Sequence, residues 1–421
     1  MPSEAFQKIG HYKAVFYNSI LIGNGSLKAV VGYQQNRRRE FENADELGLD
    51  FRLHTLNYDI HFLQASNTDW QYAAGISGMW QYSENLGEEY LIPSYRLFDA
   101  GLFASVTRQL DRLTLSVGLR YDIRCLHSYE QMDDGVLRFT DFTRNFQGLT
   151  GSAGAIYNVT PKLNIRVNLS KGFRAPNLSE LGSNGEHEGT FRYEIGNQQL
   201  SPEHSWQFDF GIDYSSKVIS AQLSLFANHI SNYVFLEKLT SAATDNRYQY
   251  RQGTARLLGF EAVLDIHPIE QLHFENSFSY VNARQLNQPE ESRWLPFTPA
   301  PRWNSDLRYD IIRDGRMLTN TFLSLGLECC LPQNNAHTAY GTETATPSYT
   351  LLSMTAGTDI CWHRRTVATV YLSATNLSNR AYQSHLSRLK YADGPGICNM
   401  GRSFGIKLLF VPSHLLSLLK T

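Results

Sequence analysis

Apolar and polar residues alternate with a period of two along most of the chain. The pattern is sharpest in RLTLSVGLRYDIR, where Leu113, Leu115, Val117, Leu119, Tyr121 and Ile123 fall on one side and Thr114, Ser116, Gly118, Arg120 and Asp122 on the other. SWQFDFGIDY divides the same way, with Trp206, Phe208, Phe210, Ile212 and Tyr214 opposing Gln207, Asp209, Gly211 and Asp213. A helix would scatter these sets around its axis, whereas a strand sends successive side chains to opposite faces. Followed through the chain, the pattern predicts seventeen strands, near 11–22, 26–36, 50–63, 69–82, 95–109, 112–125, 146–159, 162–172, 205–215, 218–235, 250–267, 271–284, 302–313, 317–330, 349–361, 366–377 and 400–411.

The connections between these segments alternate between short and long. A three-residue turn, Gly23–Gly25, is followed by a thirteen-residue loop, Arg37–Leu49; no short turn exceeds five residues, and the longest loop is the thirty-two residues Phe173–His204. Antiparallel neighbours with tight turns at one rim and long loops at the other have the layout of an outer-membrane barrel. Most strands run eleven to fourteen residues, longer than the usual five or six of globular sheets and suited to a tilted crossing. The expected fold is therefore all-β, an antiparallel up-and-down transmembrane β-barrel with its apolar faces on lipid and its polar faces bordering water. Tyr58, Trp70, Tyr72, Trp80, Tyr121, Trp206, Tyr214, Tyr280 and Trp303 lie near strand ends, either as interfacial girdles or as ordinary strand aromatics. Charges such as Asp59, His61, Arg120, Asp122, Asp265, His273, Asp306 and Arg308 are expected to pair with one another on the inner wall, since an Arg or Lys on the lipid side costs about 2–4 kcal/mol at the midplane.

Composition agrees. The 421 residues have a mean hydropathy of −0.34, yet only 19 % are charged and 12 % are aromatic, against roughly 25 % charged in soluble domains. No run of about eighteen apolar residues exists to form a helical span. A net charge of −2 excludes the basic excess of a nucleic-acid binder. Five cysteines, an odd number with Cys329 next to Cys330, give no readable disulfide framework. G-x-S-x-G, H-E-x-x-H and phosphate-cradling glycine motifs are missing, which argues against an enzyme. The start, MPSEAFQKIGHYK, lacks the pattern of a signal peptide. Single-chain bacterial barrels use even strand numbers, so seventeen leads to the expectation of further sequence ahead of the first strand.

The segment KGFRAPNLSELGSNGEHEGTFRYEIGNQQLSPEHSWQFD resembles the signature region of TonB-dependent outer-membrane receptors. Phe173, Arg174, Ala175 and Pro176 look like that family's FRAP box, and Gly196–Glu203 (GNQQLSPE) like its GNPDLKPE box. The ending, SATNLSNRAYQSHLSRLKY followed by MGRSFGIKLLF, is similar to the family's closing strands. The resemblance implies a 22-stranded parent barrel with an N-terminal plug and a TonB box. On that pattern residues 1–411 correspond to strands six to twenty-two, a partial barrel without the plug domain, and 412–421 form a short tail. It also implies a place in the outer membrane of a Gram-negative bacterium, contact with outer-membrane lipid, and coupling to the TonB complex through the missing plug and TonB box.

Candidate chemistry lies in the long loops. Pro176 biases Ala175 away from helical dihedrals, and Arg174 offers a rigid fork for either a loop carboxylate or an anionic ligand. Glu186, His187 and Glu188 place one imidazole between two carboxylates on a glycine-flanked loop. Such a set can hold zinc or another transition metal, a neutral His can ligate haem iron, and the plain alternative is an exposed loop histidine. By resemblance, a His between the two boxes is similar to haem receptors and the NGxH…EIGN arrangement to zinc-uptake receptors; Asn197-Gln198-Gln199-Leu200 departs from the haem pattern. His385 in HLSRLKY resembles the H-x-S-x-L-K segment of both and is expected to open at the same rim as His187. Phe191 and Tyr193 can stack on haem or an aromatic siderophore, or simply cover the mouth. His204 is expected to be structural. The implied function is import of a metal, haem or metal chelate as transported substrate, with no tightly bound cofactor; a passive porin-like channel and a non-transporting surface-binding protein are the alternatives.

Overall fold

In the computed structural model the described residues are 5–43, 46–64, 69–88, 90–187, 192–239, 246–363, 365–391 and 396–410. The tail 412–421 lies outside them. Strands dominate: β1 (Phe6–Ile22), β2 (Gly25–Phe41), β3 (Leu47–Gln64), β4 (Trp70–Asn85), β5 (Tyr95–Gln109), β6 (Leu113–Ser128), β7 (Gln131–Asp133), β8 (Val136–Phe139), β9 (Phe142–Thr160), β10 (Leu163–Arg174), β11 (Asn184–His187), β12 (Arg192–Ile195), β13 (Glu203–Ser215), β14 (Ile219–Lys238), β15 (Arg247–Ile269), β16 (Leu272–Gln285), β17 (Arg302–Asp314), β18 (Leu318–Cys330), β19 (Tyr349–Trp362), β20 (Arg365–Thr375) and β21 (Ser403–Phe410). Each of the seventeen expected strands is present. The four additions, β7, β8, β11 and β12, form two small hairpins within long loops, too short to show alternation in sequence. A five-residue helix, α1 (Leu178–Gly182), follows the Arg174 segment and starts at a capping box formed by Asn177 and Glu180.

Consecutive long strands pair antiparallel from β1 to β6 and on to β9, and again from β16 to β21. The first turn is tighter than expected. Ile22 pairs with Gly25, leaving two residues, and Gly23 takes φ +56° at the first central position, where a two-residue hairpin loop of type II′ places glycine. Several strands also run further into the long loops than the apolar alternation does. Arg37 lies across from Arg52 in the β2–β3 register, and its guanidinium donates to both carboxylate oxygens of Asp50 at 3.0 and 2.6 Å. Polar cross-strand pairs carry the hairpin onward, so the expected thirteen-residue loop shrinks to residues 42–46.

The chain divides into two compact units: Met1–Tyr157, Arg166–Phe208 and Asn228–Arg256 form the first, and Asn158–Ile165, Asp209–Ala227 and Leu257–Thr421 the second. In the first unit the apolar faces point outward. Leu119, Tyr121 and Ile123 are exposed at 59 %, 45 % and 37 %, while the intervening Arg120, Asp122 and Arg124 are partly buried and partnered. Arg120 donates to Asp122 at 2.7 Å and to the Ser77 hydroxyl at 2.7 Å; Arg124 forks onto Asp99 at 2.7 and 2.6 Å. His61 pairs with Asp59. On the apolar face the Tyr58 hydroxyl donates to the Asp99 carbonyl at 3.0 Å.

At the long-loop end of this unit the polar face turns apolar. Leu97, Leu126 and Phe146 share the register parity of Asp99, Arg124 and Gly148, yet they are buried under Ala175, Leu178, Leu181 and Leu200 from the loop after β10, with Val234 completing the cluster. The polar faces are expected to border water; at the long-loop end the loop after β10 folds over them and gives this unit a small dry core. The second unit repeats the sorting of faces. Leu307, Tyr309 and Ile311 are exposed, whereas Asp306 accepts from the Ser324 hydroxyl at 2.7 and 2.6 Å and Arg308 donates to Asp310 at 2.9 Å.

Gly148 fixes one close approach beneath that core, because a Cβ there would meet the Phe173 ring at 2.3 Å. Gly148→Ala is expected to displace Phe173 and lower stability by about 1–3 kcal/mol, the usual range for overpacking, measured as a shifted urea midpoint.

Candidate functional site

In the first unit, Arg174 ends β10 and anchors the loop that follows. Its Nε and Nη2 donate to the two oxygens of Glu203 at 2.7 and 2.6 Å, and its Nη1 donates to both oxygens of Glu180 at 2.9 Å. Neither carboxylate is spare. Glu180 also accepts from the Asn177 backbone N–H at 2.9 Å, and Glu203 from the Val234 N–H at 2.7 Å. Of the two roles open to Arg174, the observed contacts are those of a clamp on loop carboxylates: one bidentate fork joins the end of β10, the start of α1, the start of β13 and the backbone of β14. Phe173 packs its ring 5.8 Å from that of His204, and Pro176 is fully buried.

β11 carries Glu186 and His187 of the cluster picked out for metal. Glu186 is exposed and sits opposite Tyr193 in the register. It lines a cavity of about 540 Å³ with Phe6, Phe41, Phe51, Arg38 and Glu40, where the Phe6 and Phe41 rings stack at 4.5 Å. Tyr193 is held in place, its hydroxyl donating to Asn184 Oδ1 at 2.7 Å and its ring 5.8 Å from the Arg138 guanidinium. His187 ends β11, but its side chain, together with Glu188 and Phe191, lies outside the described residues.

In the second unit, His385 is buried at 3 % exposure. Its Nδ1 lies 2.8 Å from the Thr346 hydroxyl and its Nε2 3.6 Å from Glu343. Glu343, exposed at 2 %, accepts from the backbone N–H groups of Phe297 and His337 at 2.5 and 2.9 Å. One carboxylate thus joins the loops before β17, before β19 and before β21. Lys390 adds donations to the Thr344 carbonyl at 2.7 Å and the Thr346 hydroxyl at 2.6 Å. Burial pushes the His385 imidazole below its ordinary value, with Glu343 opposing the shift and Lys390 reinforcing it; burial also lowers Lys390. Sequence reasoning found Arg174 and His385 but passed over their partners. Asn177-x-x-Glu180 was legible as a capping box; Glu343, an isolated acid in a polar loop, carried no signal.

With this geometry in place, the comparisons with known proteins are specific. Residues 6–377 match the family model of the TonB dependent receptor-like β-barrel, and the chain belongs to that family. It is a family of receptors and transporters of the Gram-negative outer membrane, not of enzymes. An iron-regulated outer membrane virulence protein of Vibrio cholerae is 24 % identical over 169 residues, 37 % of this chain and 25 % of that protein. Among solved structures, the copper transporter OprC superposes with a TM-score of 0.79 at 15 % identity, covering 97 % of this chain and 66 % of that one. The FrpB iron transporter from Neisseria meningitidis gives 0.71 at 14 % identity, covering 95 % of this chain and 62 % of that one. The ferric yersiniabactin uptake receptor FyuA from Yersinia pestis gives 0.67 at 14 %, covering 96 % and 61 %. The chain therefore spans a quarter of the Vibrio protein and less than two thirds of these solved structures.

Two outcomes follow from the clamps. Arg174→Lys keeps the charge but loses the fork, and is expected to weaken the clamp by roughly 1–3 kcal/mol, read as faster limited proteolysis between residues 175 and 202 while the strands stay intact. His385 has a folded pKa below its unfolded value near 6.5. Its neutral form is therefore at no disadvantage above about pH 6.5, and as pH falls further the open loop takes up the proton first, so loop stability drops. Acidification from about pH 7.5 to 5.5 should speed hydrogen exchange across 376–391, corrected for intrinsic rates, and His385→Gln should abolish that dependence.

Proposed function

We propose that this chain is the barrel part of an energised outer-membrane importer whose cargo is a metal ion, haem or a metal chelate, driven through the TonB complex. The observation that carries the reading is the sorting of faces in a member of this receptor family: outward apolar side chains suited to lipid and inward ion pairs suited to a hydrated passage. Glu186, His187 and Glu188 are the cargo ligands in this reading, and Phe191 and Tyr193 the aromatic groups that stack on the cargo. Arg174 and His385 serve cargo indirectly, by holding the loops that carry or flank it. The names of the Vibrio, FrpB and OprC proteins support a metal-bearing cargo without selecting one.

The test uses the full product of the gene in a strain deleted for it. Growth or uptake is measured with zinc, haem or ferric chelates as the limiting nutrient. Rescue by one of these, dependent on TonB and reduced in Glu186→Ala and His187→Ala, is the expected result. Rescue without TonB together with a steady current in planar bilayers would make the protein a passive channel, and no rescue from protein present in the outer membrane would leave it a surface binder. The membrane assignment is checked separately. Leu119→Lys should cost about 2–4 kcal/mol near the midplane in urea titrations of folding into vesicles, whereas Thr150→Lys, on the polar face, should cost far less.

A further inference from the structure

A second cluster of titratable groups lies at the opposite end of the second unit, beside the two-residue turn between β15 and β16. His267 Nε2 is 2.6 Å from Asp265 Oδ2, and His273 Nε2 is 3.2 Å from Asp310 Oδ2. An ionised carboxylate only accepts hydrogen bonds, so in each neutral imidazole the proton sits on Nε2 and Nδ1 keeps a free lone pair. That is the orientation metal-binding histidines adopt, one nitrogen donating to a carboxylate while the other binds the ion. Arg308 Nε donates to the other oxygen of Asp310 at 2.9 Å, which favours the charged carboxylate and so the tautomer of His273.

The spacing of the two rings suits a shared ion. Their centroids are 4.6 Å apart with the planes at 87°. With metal–nitrogen bonds of about 2.0–2.1 Å, two imidazoles on one ion have ring centres about 4.5 Å apart at a square bond angle and about 5.2 Å at a tetrahedral one. Asp265 Oδ1 is buried and has no hydrogen-bond partner among the described residues, so the carboxylate is held through Oδ2, the oxygen that orients the His267 ring. Among the described residues no three His, Cys, Asp or Glu side chains converge as a ligand set, so the two imidazoles are the protein donors of the site.

We propose that His267 and His273 form a two-imidazole site for a divalent first-row transition ion, with Asp265 and Asp310 as orienting partners. The near-square spacing and the nitrogen donors favour Cu²⁺ or Ni²⁺ over Mg²⁺ or Ca²⁺. The site is distinct from the long-loop residues and stands whatever the cargo of the importer.

Cu²⁺ titration of the purified full chain in detergent, followed by electron paramagnetic resonance, tests it. The expected spectrum shows coupling to two imidazole nitrogens. His267→Ala or His273→Ala should remove one of them, and Asp265→Asn should weaken binding by about 10–100-fold, the usual effect of losing an orienting partner. Both alanine variants retain every other histidine. A spectrum and affinity unchanged in the double variant would overturn the proposal, as would the absence of copper on the unsubstituted protein after gel filtration. Should the variants fail to fold, diethylpyrocarbonate labelling of the unsubstituted chain decides: Cu²⁺ should protect His267 and His273, and equal labelling with and without the ion would refute the site.

Discussion

The strands β2 to β6 and β17 to β20 each pair along both sides with their neighbours and therefore have no freedom to turn about their axes; with a side-chain period of two, a slip of one residue would exchange a strand's faces entirely. Everything else depends on that parity. It places Leu119, Tyr121 and Ile123 together on the exposed side and Arg120, Asp122 and Arg124 together on the other. It also sets which groups can meet. Arg120 reaches Asp122 along its own strand and Ser77 across the intervening β5, and His267 reaches His273, because the members of each pair share a face.

Parity also explains what was legible beforehand. All seventeen long strands could be read, because Leu, Val, Tyr and Ile recur at every second position from Leu113 to Ile123 and in the equivalent runs. The ends of strands were read less well. Arg37 and Asp50 extend β2 and β3 through a salt bridge, and a pattern made of charges looks like a loop when only hydrophobicity is followed. The small hairpins β7–β8 and β11–β12 are three or four residues per strand, at most two periods of alternation.

At the candidate site, sequence located residues but not relationships. Arg174 stood out through its FRAP-like setting, and a loop carboxylate was one of the two partners considered; that it takes two such partners, Glu180 and Glu203, follows from a chain reversal that brings residues 174 and 203 side by side. His385 stood out by resemblance, while its burial depends on Glu343 and Thr346 in a different loop. Contacts between loops are governed by sequence-distant packing, and a local pattern has no means to encode them. The apolar cover of Leu178, Leu181 and Leu200 over Leu97, Leu126 and Phe146 was hidden for the same reason: its members sit at polar-face positions on the strands and in an irregular loop.

The Glu343 carboxylate binds Phe297 and His337 through their backbone N–H groups and faces the His385 ring. Two of its partners are main-chain amides, so the carboxylate grips the backbone of both loops, and the His337 side chain adds a contact of its own, its Nδ1 2.9 Å from the Trp294 carbonyl. The three segments inherit their positions as one set. A loop exchanged singly with a relative would arrive without its counterpart at the shared acid, so recombination among such receptors is expected to preserve these three as a block while neighbouring surface residues diversify around them.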